Sequence, residues 1–354
     1  MNTELVTLKR NCPHCSSTAS ELIRHVPDCD ERNITWPLLR CQKCGLVYVG
    51  ALPQNPGIYY GSLYFKQGSS WAAQFNRYFA TYWNRVRVFT VIGYPLNAAS
   101  SRLLDFGCGS GYFLEAALHS GWETWGVEPD SSRFSLLSSK ASGRIYSSLS
   151  ELMTQEPGVR FHVITLWHVL EHLPDLKQIL LKLNEMTQEN GIIFLTLPNW
   201  GSWEAERFGD RWFHLDVPRH LQHFDAPMLK AVLSETGWTV EWIGYTAWAY
   251  CTYGLAQTFL NCLPGPKNFI FNLIKRGVHY RNRMGPLRFF SLVLLHVFLF
   301  PVALGVAALL MPLLACRGRA GTVDVWARKK PSVGERKDVR TFWYPLMGKQ
   351  WRKN

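Results

Sequence analysis

The chain has 354 residues, 47% of them apolar and 14% aromatic. That is enough for a large domain plus a small one, or for two domains, and it excludes global disorder. The formal charge of +12 is uneven: residues 265–354 hold 17 of the 38 Lys and Arg but three of the 26 acids, leaving 21 basic and 23 acidic side chains elsewhere. The body is therefore near neutral and the C-terminal quarter carries the excess, which points to a polyanionic partner, membrane or nucleic acid. Residues 1–10 are polar with no apolar h-region, so no secretory signal is expected. The nine cysteines are odd in number and two pairs have metal spacing, which favours a reducing cytosol over a disulfide framework.

Cys12-Pro13-His14-Cys15 and Cys41-Gln42-Lys43-Cys44 form two C-x-x-C knuckles separated by 25 residues. Each can present two thiolates from a tight turn, and two knuckles complete a closed tetrahedral shell for a structural zinc. Residues 1–52 are read as this ribbon, with Cys29 a bystander. Residues 53–98 follow as a Tyr-, Pro- and Gly-rich connector and a helical cover, with large residues at Trp71, Phe75, Tyr78, Phe79, Tyr82 and Val86.

The stretch Leu103-Leu104-Asp105-Phe106-Gly107-Cys108-Gly109-Ser110-Gly111-Tyr112-Phe113-Leu114 reads as a buried strand, a glycine turn and a helix. Glycines there let the main chain approach a ligand, and the helix N-terminus points amides at it. Glu128 ends the next apolar run, 21 positions after Gly107, a spacing suited to a carboxylate on ribose hydroxyls. The order D-x-G-x-G-x-G differs from the G-x-G-x-x-G of nicotinamide and flavin dinucleotides. Apolar runs then alternate with helical stretches, as in a parallel α/β sheet. Strands are predicted at 102–106, 123–127, 144–146, 161–166, 191–197, 239–246 and 321–328, and helices at 110–120, 131–141, 149–155, 175–188 and 226–236.

With LLDFGCGSGYFL, GVEPD and LWHVLEHLPD in this order, the chain resembles the class I S-adenosylmethionine-dependent methyltransferases. The resemblance implies a seven-stranded Rossmann-like sheet over residues 99–246 and 321–330. It implies that Asp105, Gly107, Gly109 and Gly111 hold the methionine part of S-adenosylmethionine, with Glu128 on the ribose and His168 in the pocket. His162 stands where the family often has Asp, which weakens a structural hydrogen bond and removes no catalytic group. Residues 40–48 resemble the zinc-ribbon start seen on some methyltransferases. Similar zinc-ribbon enzymes act on sugars and glycan precursors, and ubiquinone-type relatives on lipid-soluble rings.

The acceptor side is expected past the carboxyl ends of the fourth and fifth strands. His168 and His172 are candidate catalytic groups there; the alternative is that Glu171 and His172 cap and orient the loop. The loop 198–224 is dense in function-bearing residues. Arg211 and Arg219 are candidates to hold a phosphate or carboxylate, Trp203 and Trp212 to offer apolar walls, and His220 or His223 to take a proton from an acceptor hydroxyl. Each histidine could instead hydrogen-bond the loop into one shape. A histidine-based metal site is not expected, since no H-E-x-x-H spacing is present.

Residues 247–320 form an insertion containing, over 289–316, a run of 28 residues free of Lys, Arg, Asp and Glu, flanked by Arg288, Arg317 and Arg319. A return to the sheet at 321–328 keeps both ends on one side of a bilayer, and two spans would need about 40 residues. With Pro301 and Pro312 interrupting it, the run is expected as a broken helix or shallow hairpin dipping into one leaflet, with basic flanks on anionic headgroups. The alternatives are a buried core or dimer helix pair, or a true single span if the strand at 321–328 is misassigned. The tail 331–354 mixes basic and aromatic residues and is expected to be flexible. The reading is a cytoplasmic enzyme, peripheral or monotopic on the inner membrane face, methylating a small-molecule, sugar or lipid-linked acceptor. A non-catalytic scaffold and an RNA methyltransferase are the alternatives, although no RNA-binding motif is present.

Overall fold

The computed structural model describes residues 8–30, 33–59, 84–92, 101–130, 144–273 and 285–331. The expected helix at 131–141, the aromatics 71–82, much of the connector and the tail beyond 331 lie outside the described residues.

The sheet expected from the alternating pattern is present, with seven strands and closely matching ends. Its strands are β6 (Arg102–Phe106), β7 (Glu123–Val127), β8 (Ile145–Tyr146), β9 (Phe161–Trp167), β10 (Thr187–Pro198), β12 (Trp238–Gly244) and β13 (Thr322–Lys329). Their order is β12-β13-β10-β9-β6-β7-β8. β6 to β10 pair in parallel, but β13 runs antiparallel to both β10 and β12. The expectation of a parallel sheet is corrected here to a mixed one. Apolar alternation reports which face a strand buries and not its direction, so the sequence pattern was blind to this reversal.

The chain leaves β6 for β7 on one side and later returns to β9 on the other. Their adjacent carboxyl ends therefore form a topological switch point, where open α/β sheets bind ligands. Around the sheet pack α1 (Tyr112–His119), α2 (Leu149–Gln155), α3 (Leu176–Glu185) and α5 (Ala226–Glu235), with α4 (Trp203–Phe208) in the loop after β10. Ser148, Ser202 and Asp225 cap three of these with side-chain oxygens on backbone amides, so their N-termini are fixed locally. One core runs from Leu104, Ile164 and Leu195 in the sheet to Leu180, Leu183, Val232 and Leu233 on the helices.

Asp324 locks the antiparallel edge. It is buried on β13 and accepts from Thr196 Oγ1 at 2.5 Å and from Thr246 N and Oγ1 at 2.7 and 2.6 Å. A buried carboxylate so satisfied is held in place by the donors it would otherwise leave unpaired.

The N-terminal ribbon is β1 (Leu8–Lys9), β2 (Ser20–Pro27), β3 (Thr35–Cys41), β4 (Val47–Val49) and β5 (Ala51–Leu52). Its larger sheet takes a fourth strand from outside the ribbon, β11 (Gln222–His223), which pairs with β4 through Gln222–Tyr48 and His223–Val47. The ribbon is thus stitched to the end of the histidine-rich loop.

The insertion contributes α6 (Trp248–Leu260) and α7 (Pro286–Cys316). α7 is one continuous helix of 31 residues containing Pro301 and Pro312, about 46 Å long at 1.5 Å per residue. The expected break or hairpin is corrected to a single rod. One side packs along α6 and the segment after it, through Phe289, Leu292, Ala307, Met311 and Leu314. The helix stays continuous through prolines that each remove a backbone hydrogen bond, with this packing along one side to support it.

Candidate active site

The first loop is built from β6 outward. Gly107, Gly109 and Gly111 have φ values of +80°, +54° and +72°, a left-handed conformation that costs glycine least. At Gly107 a Cβ would also lie 2.5 Å from Val169 Cγ2, so the loops after β6 and β9 touch there. Glu128, buried just past the end of β7, reaches across: Oε2 accepts from Gly109 N at 2.9 Å and Oε1 from Asp130 N at 3.2 Å. The carboxylate expected to read a ribose therefore stands directly against the glycine loop. Asp105 is buried below it, accepting from Thr165 Oγ1 at 2.8 Å. Burial pushes its carboxyl up to about 7, with the Thr165 hydrogen bond and the Arg87 charge opposing and Glu128 adding to the rise.

The second loop follows β9. His168 carries φ +54°, an uncommon conformation for a side-chain-bearing residue and one often found at functional sites. Its backbone N donates to Thr196 O at 2.8 Å, its Nδ1 is 3.5 Å from Glu171 Oε1, and its ring lies 4.6 Å from that of Tyr250. Glu171 and His172 form the following one-turn helix, and Leu221 N donates to Glu171 O at 2.8 Å, tying this turn to the histidine-rich loop. Burial alone would raise the Glu171 carboxyl; His168, His172 and His220 around it hold it at about 2, so it is ionised.

The third loop brings His220 to within 4.8 Å of His172, ring centroid to centroid. Both imidazoles are oriented by main-chain carbonyls: His172 Nδ1 donates to Arg219 O and His220 Nδ1 to His214 O, each at 2.8 Å. Burial takes the imidazole of His220 down to about 4 and that of His223 to about 3. Both are neutral at pH 7 and too weakly basic to take a hydroxyl proton readily. His223 stands edge-on to His220, ring centroids 6.4 Å apart, and lines a cavity of about 320 Å3 with Cys44, Trp200 and Met228.

The expected substrate residues are placed differently from the reading of the sequence. Arg219 is buried and donates to both oxygens of Asp216 at 2.7 Å, with Asp30 of the ribbon at 3.3 Å. It is committed to holding the loop. Trp212 is wholly buried in the core shared with the ribbon, and Trp203 is half-buried against Phe208 and the insertion, so neither is an open wall. Arg211 is exposed, and its carbonyl accepts from Asn261 of the insertion. Two residues that the sequence did not single out reach the same edge. Tyr250, on α6, touches both His168 and His214. Arg87, on the helical turn before residue 92, stands 4.7 Å over the ring of Trp167.

The four ribbon thiols converge. Their sulfurs lie within 4.8 Å of one another, with Cys12–Cys44 and Cys15–Cys41 at 3.5 Å. The knuckles share a geometry: Ser16 N donates to Cys12 O and Gly45 N to Cys41 O, both at 2.9 Å, with Ser16 and Gly45 left-handed.

Glu204, under this loop, supplies a stability switch with a definite sign. It is fully buried, and burial pushes its carboxyl up to about 8 despite the Thr258 hydroxyl. A carboxyl whose pKa is raised in the fold stabilises fully below its unfolded value of about 4.3 and loses that contribution as pH rises toward 8. Glu204→Gln is therefore expected to gain on the order of 3 kcal/mol over the parent at pH 8.5 and little at pH 4.5. Urea unfolding at both pH values checks this; an equal difference at both contradicts it.

Comparison with known proteins agrees with the core of this geometry. Residues 75–242 match a family model described as a methyltransferase domain. The ubiquinone biosynthesis O-methyltransferase of Pseudomonas fluorescens (strain SBW25) is 27% identical over 109 residues, 29% of this chain and 47% of that protein. Its counterpart in Xanthomonas euvesicatoria pv. vesicatoria is 30% identical over 111 residues, 29% of this chain and 46% of that protein. The chain thus spans about half the length of the curated relatives it matches. Among solved structures, a SAM-dependent methyltransferase from Archaeoglobus fulgidus aligns at 18% identity and a TM-score of 0.42, over 73% of this chain and all of that one. The likeness to these proteins is thus to a methyltransferase domain, matched over residues 75–242 of this chain.

Proposed function

We propose that the chain is an S-adenosylmethionine-dependent methyltransferase acting on a small acceptor, with its ribbon holding a structural zinc. The observation that carries the reading is the left-handed loop Gly107–Gly109–Gly111 at the switch point, with the Glu128 carboxylate against the Gly109 amide. Loop amides and the N-terminus of α1 would take the methionine carboxylate, and Glu128 would take the ribose hydroxyls. S-Adenosylmethionine supplies an electrophilic methyl on sulfonium sulfur. The chain's own work is positioning and water exclusion, with Tyr250 and His168 forming the rim over the donor edge. The ribbon fits zinc because Zn–S bonds of about 2.3 Å put tetrahedral sulfurs about 3.8 Å apart, close to the spacing present.

The acceptor reading rests on α7. Its side away from α6 is open and apolar along its length, with Phe290, Leu294 and Phe298 exposed by 61%, 73% and 76%. An unbroken face of this kind beside a protein-packed one fits a rod lying in the membrane interface, and Arg288, Arg317 and Arg319 at its ends fit anionic headgroups. A membrane-lying enzyme draws its acceptor from the bilayer, so a lipid-linked glycan, isoprenoid-linked sugar or quinone-like ring is favoured. The expected result is flotation of the full-length protein with vesicles containing phosphatidylglycerol. Changing Phe290, Leu294 and Phe298 together to Ser, which leaves the packed face intact, abolishes it. Equal flotation of both proteins, or of neither, rejects the membrane reading. Incubation of membrane extract with methyl-labelled S-adenosylmethionine then places label in the lipid fraction; label confined to the aqueous fraction rejects a lipid-linked acceptor.

A further inference from the structure

Of the buried polar groups, Glu171 is the least accounted for. Its side chain is buried, and beyond the 3.5 Å approach of His168 neither carboxylate oxygen has a hydrogen bond among the described residues. A buried carboxylate left this way is costly unless something positive completes it. Two further imidazoles face it. One ring nitrogen each from His172 and His220, together with a Glu171 oxygen, lie within 4.8 Å of one another. Both rings spend Nδ1 on a main-chain carbonyl, Arg219 O and His214 O at 2.8 Å, which fixes the tautomer and the ring orientation. This is the arrangement by which outer groups orient metal-bound histidines. The orienting carbonyl of Arg219 is itself anchored, since its guanidinium is clamped by Asp216 and Asp30.

We infer that Glu171, His172 and His220 form a second metal site, distinct from the four-cysteine ribbon, that takes a first-row divalent cation and binds the acceptor hydroxyl. Two imidazoles and one carboxylate suit zinc, manganese, iron(II) or cobalt(II), and three protein ligands leave positions open, as in catalytic rather than structural sites. Bonds of about 2.1 Å require neighbouring ligand atoms about 3–4 Å apart, so the observed spacing closes by small side-chain rotations. Two of its ligands lie on the turn Leu170–His172, which directly follows Val169, the residue that faces Gly107 of the donor loop. This inference rests on the methyl-transfer reading and supplies a way to ionise the acceptor. An acceptor hydroxyl bound to the cation releases its proton to solvent more readily. Its oxygen then attacks the methyl carbon, the C–S electron pair stays on sulfur, and the sulfonium becomes a neutral thioether.

The test is metal stoichiometry on the full-length protein, titrated with Zn2+ and, separately, with Mn2+ after its ribbon has been loaded with one equivalent of Zn2+. Wild type is expected to bind two equivalents of Zn2+ and one of Mn2+, which avoids the thiolates. Glu171→Gln and His220→Ala each lose one equivalent of Zn2+ and the whole of the Mn2+. A single zinc equivalent in wild type with no bound Mn2+ overturns the inference, as does retention of the second equivalent in both single variants. Should those variants fail to fold, the Co2+ spectrum of wild type decides: weak bands of nitrogen- and oxygen-bound cobalt beside the thiolate charge-transfer band support the site, and thiolate bands alone overturn it. The readout is independent of methyl transfer, so absence of S-adenosylmethionine binding would remove the functional reading while leaving the metal count to stand or fall by itself.

Discussion

Replacing Gly107 with Val is expected to abolish binding of S-adenosylmethionine. Two independent costs fall on one position. The residue sits at φ +80°, where a β-branched side chain is strained by about 1–2 kcal/mol or more. Its Cβ would also lie 2.5 Å from Val169 Cγ2, so the loop after β9 must retreat as well. Both loops of the switch point are displaced together, and the expected loss exceeds about a hundredfold in affinity, or about 2.7 kcal/mol. Glu128→Ala acts differently. It removes the acceptor on Gly109 N and Asp130 N without adding bulk, so binding weakens while the loop remains able to close. Equilibrium binding of radiolabelled cofactor separates the cases. Unchanged affinity in the double variant, or none in wild type, removes the methyl-donor pocket from this site.

The second large effect is expected at the ribbon. Changing Cys41 and Cys44 together to Ser breaks half the thiolate shell, and structural zinc in small ribbons contributes about 10–16 kcal/mol of apparent binding energy. The damage does not stay local. β4 pairs with β11, Val49 N donates to Leu221 O at 2.9 Å, and Asp30 meets Arg219. Loss of the ribbon therefore releases the loop that carries His220, while the glycine loop keeps its own support from β6 and Glu128. Cofactor affinity should change little, methyl transfer should fall at least about tenfold, and protease should cut within residues 209–224 in the variant only. Parallel loss of cofactor binding would show that the two units fold as one.

Much of the donor side is legible in the linear chain because its determinants are local. β6 and β7 have the ends read from the apolar runs at 102–106 and 123–127, since each run is short, almost wholly buried and bounded by polar or glycine residues. Sequence spacing also brought Glu128 to the loop it was expected to serve. β10 was less legible: it begins at Thr187, four residues earlier than expected, across a register shift before Ile192 that interposes Gln188, Glu189, Asn190 and Gly191. Such a bulge has no periodic signature.

The acceptor side was hidden for a different reason. Arg219, Trp212 and Trp203 have the chemistry of a binding loop, but the ribbon and insertion arrive from distant sequence and cover them. The same long-range packing brings Tyr250 to His168 and sets His220 beside Glu171 and His172, from separations of 82 and about 50 positions. Composition names the groups at such a site, and only tertiary packing decides which of them meet. Pro301 and Pro312 misled in the opposite direction, suggesting a break in a helix that stays continuous, packed along one side against α6.

The sharing of β11 between the two units has a consequence for modularity. A ribbon that closed its own sheet could be swapped among relatives or removed by shortening the chain. Here its outer strand is borrowed, and that strand belongs to the loop joining the donor domain to the acceptor side. Shortening the chain to begin after residue 52 would strip β11 of its pairing partner and uncover Trp212 and Leu215 from their shared core. The result would be a bare strand edge beside an apolar patch, a template for self-association. The ribbon is therefore part of a sheet that the loop after β10 completes, and not a separately closed module.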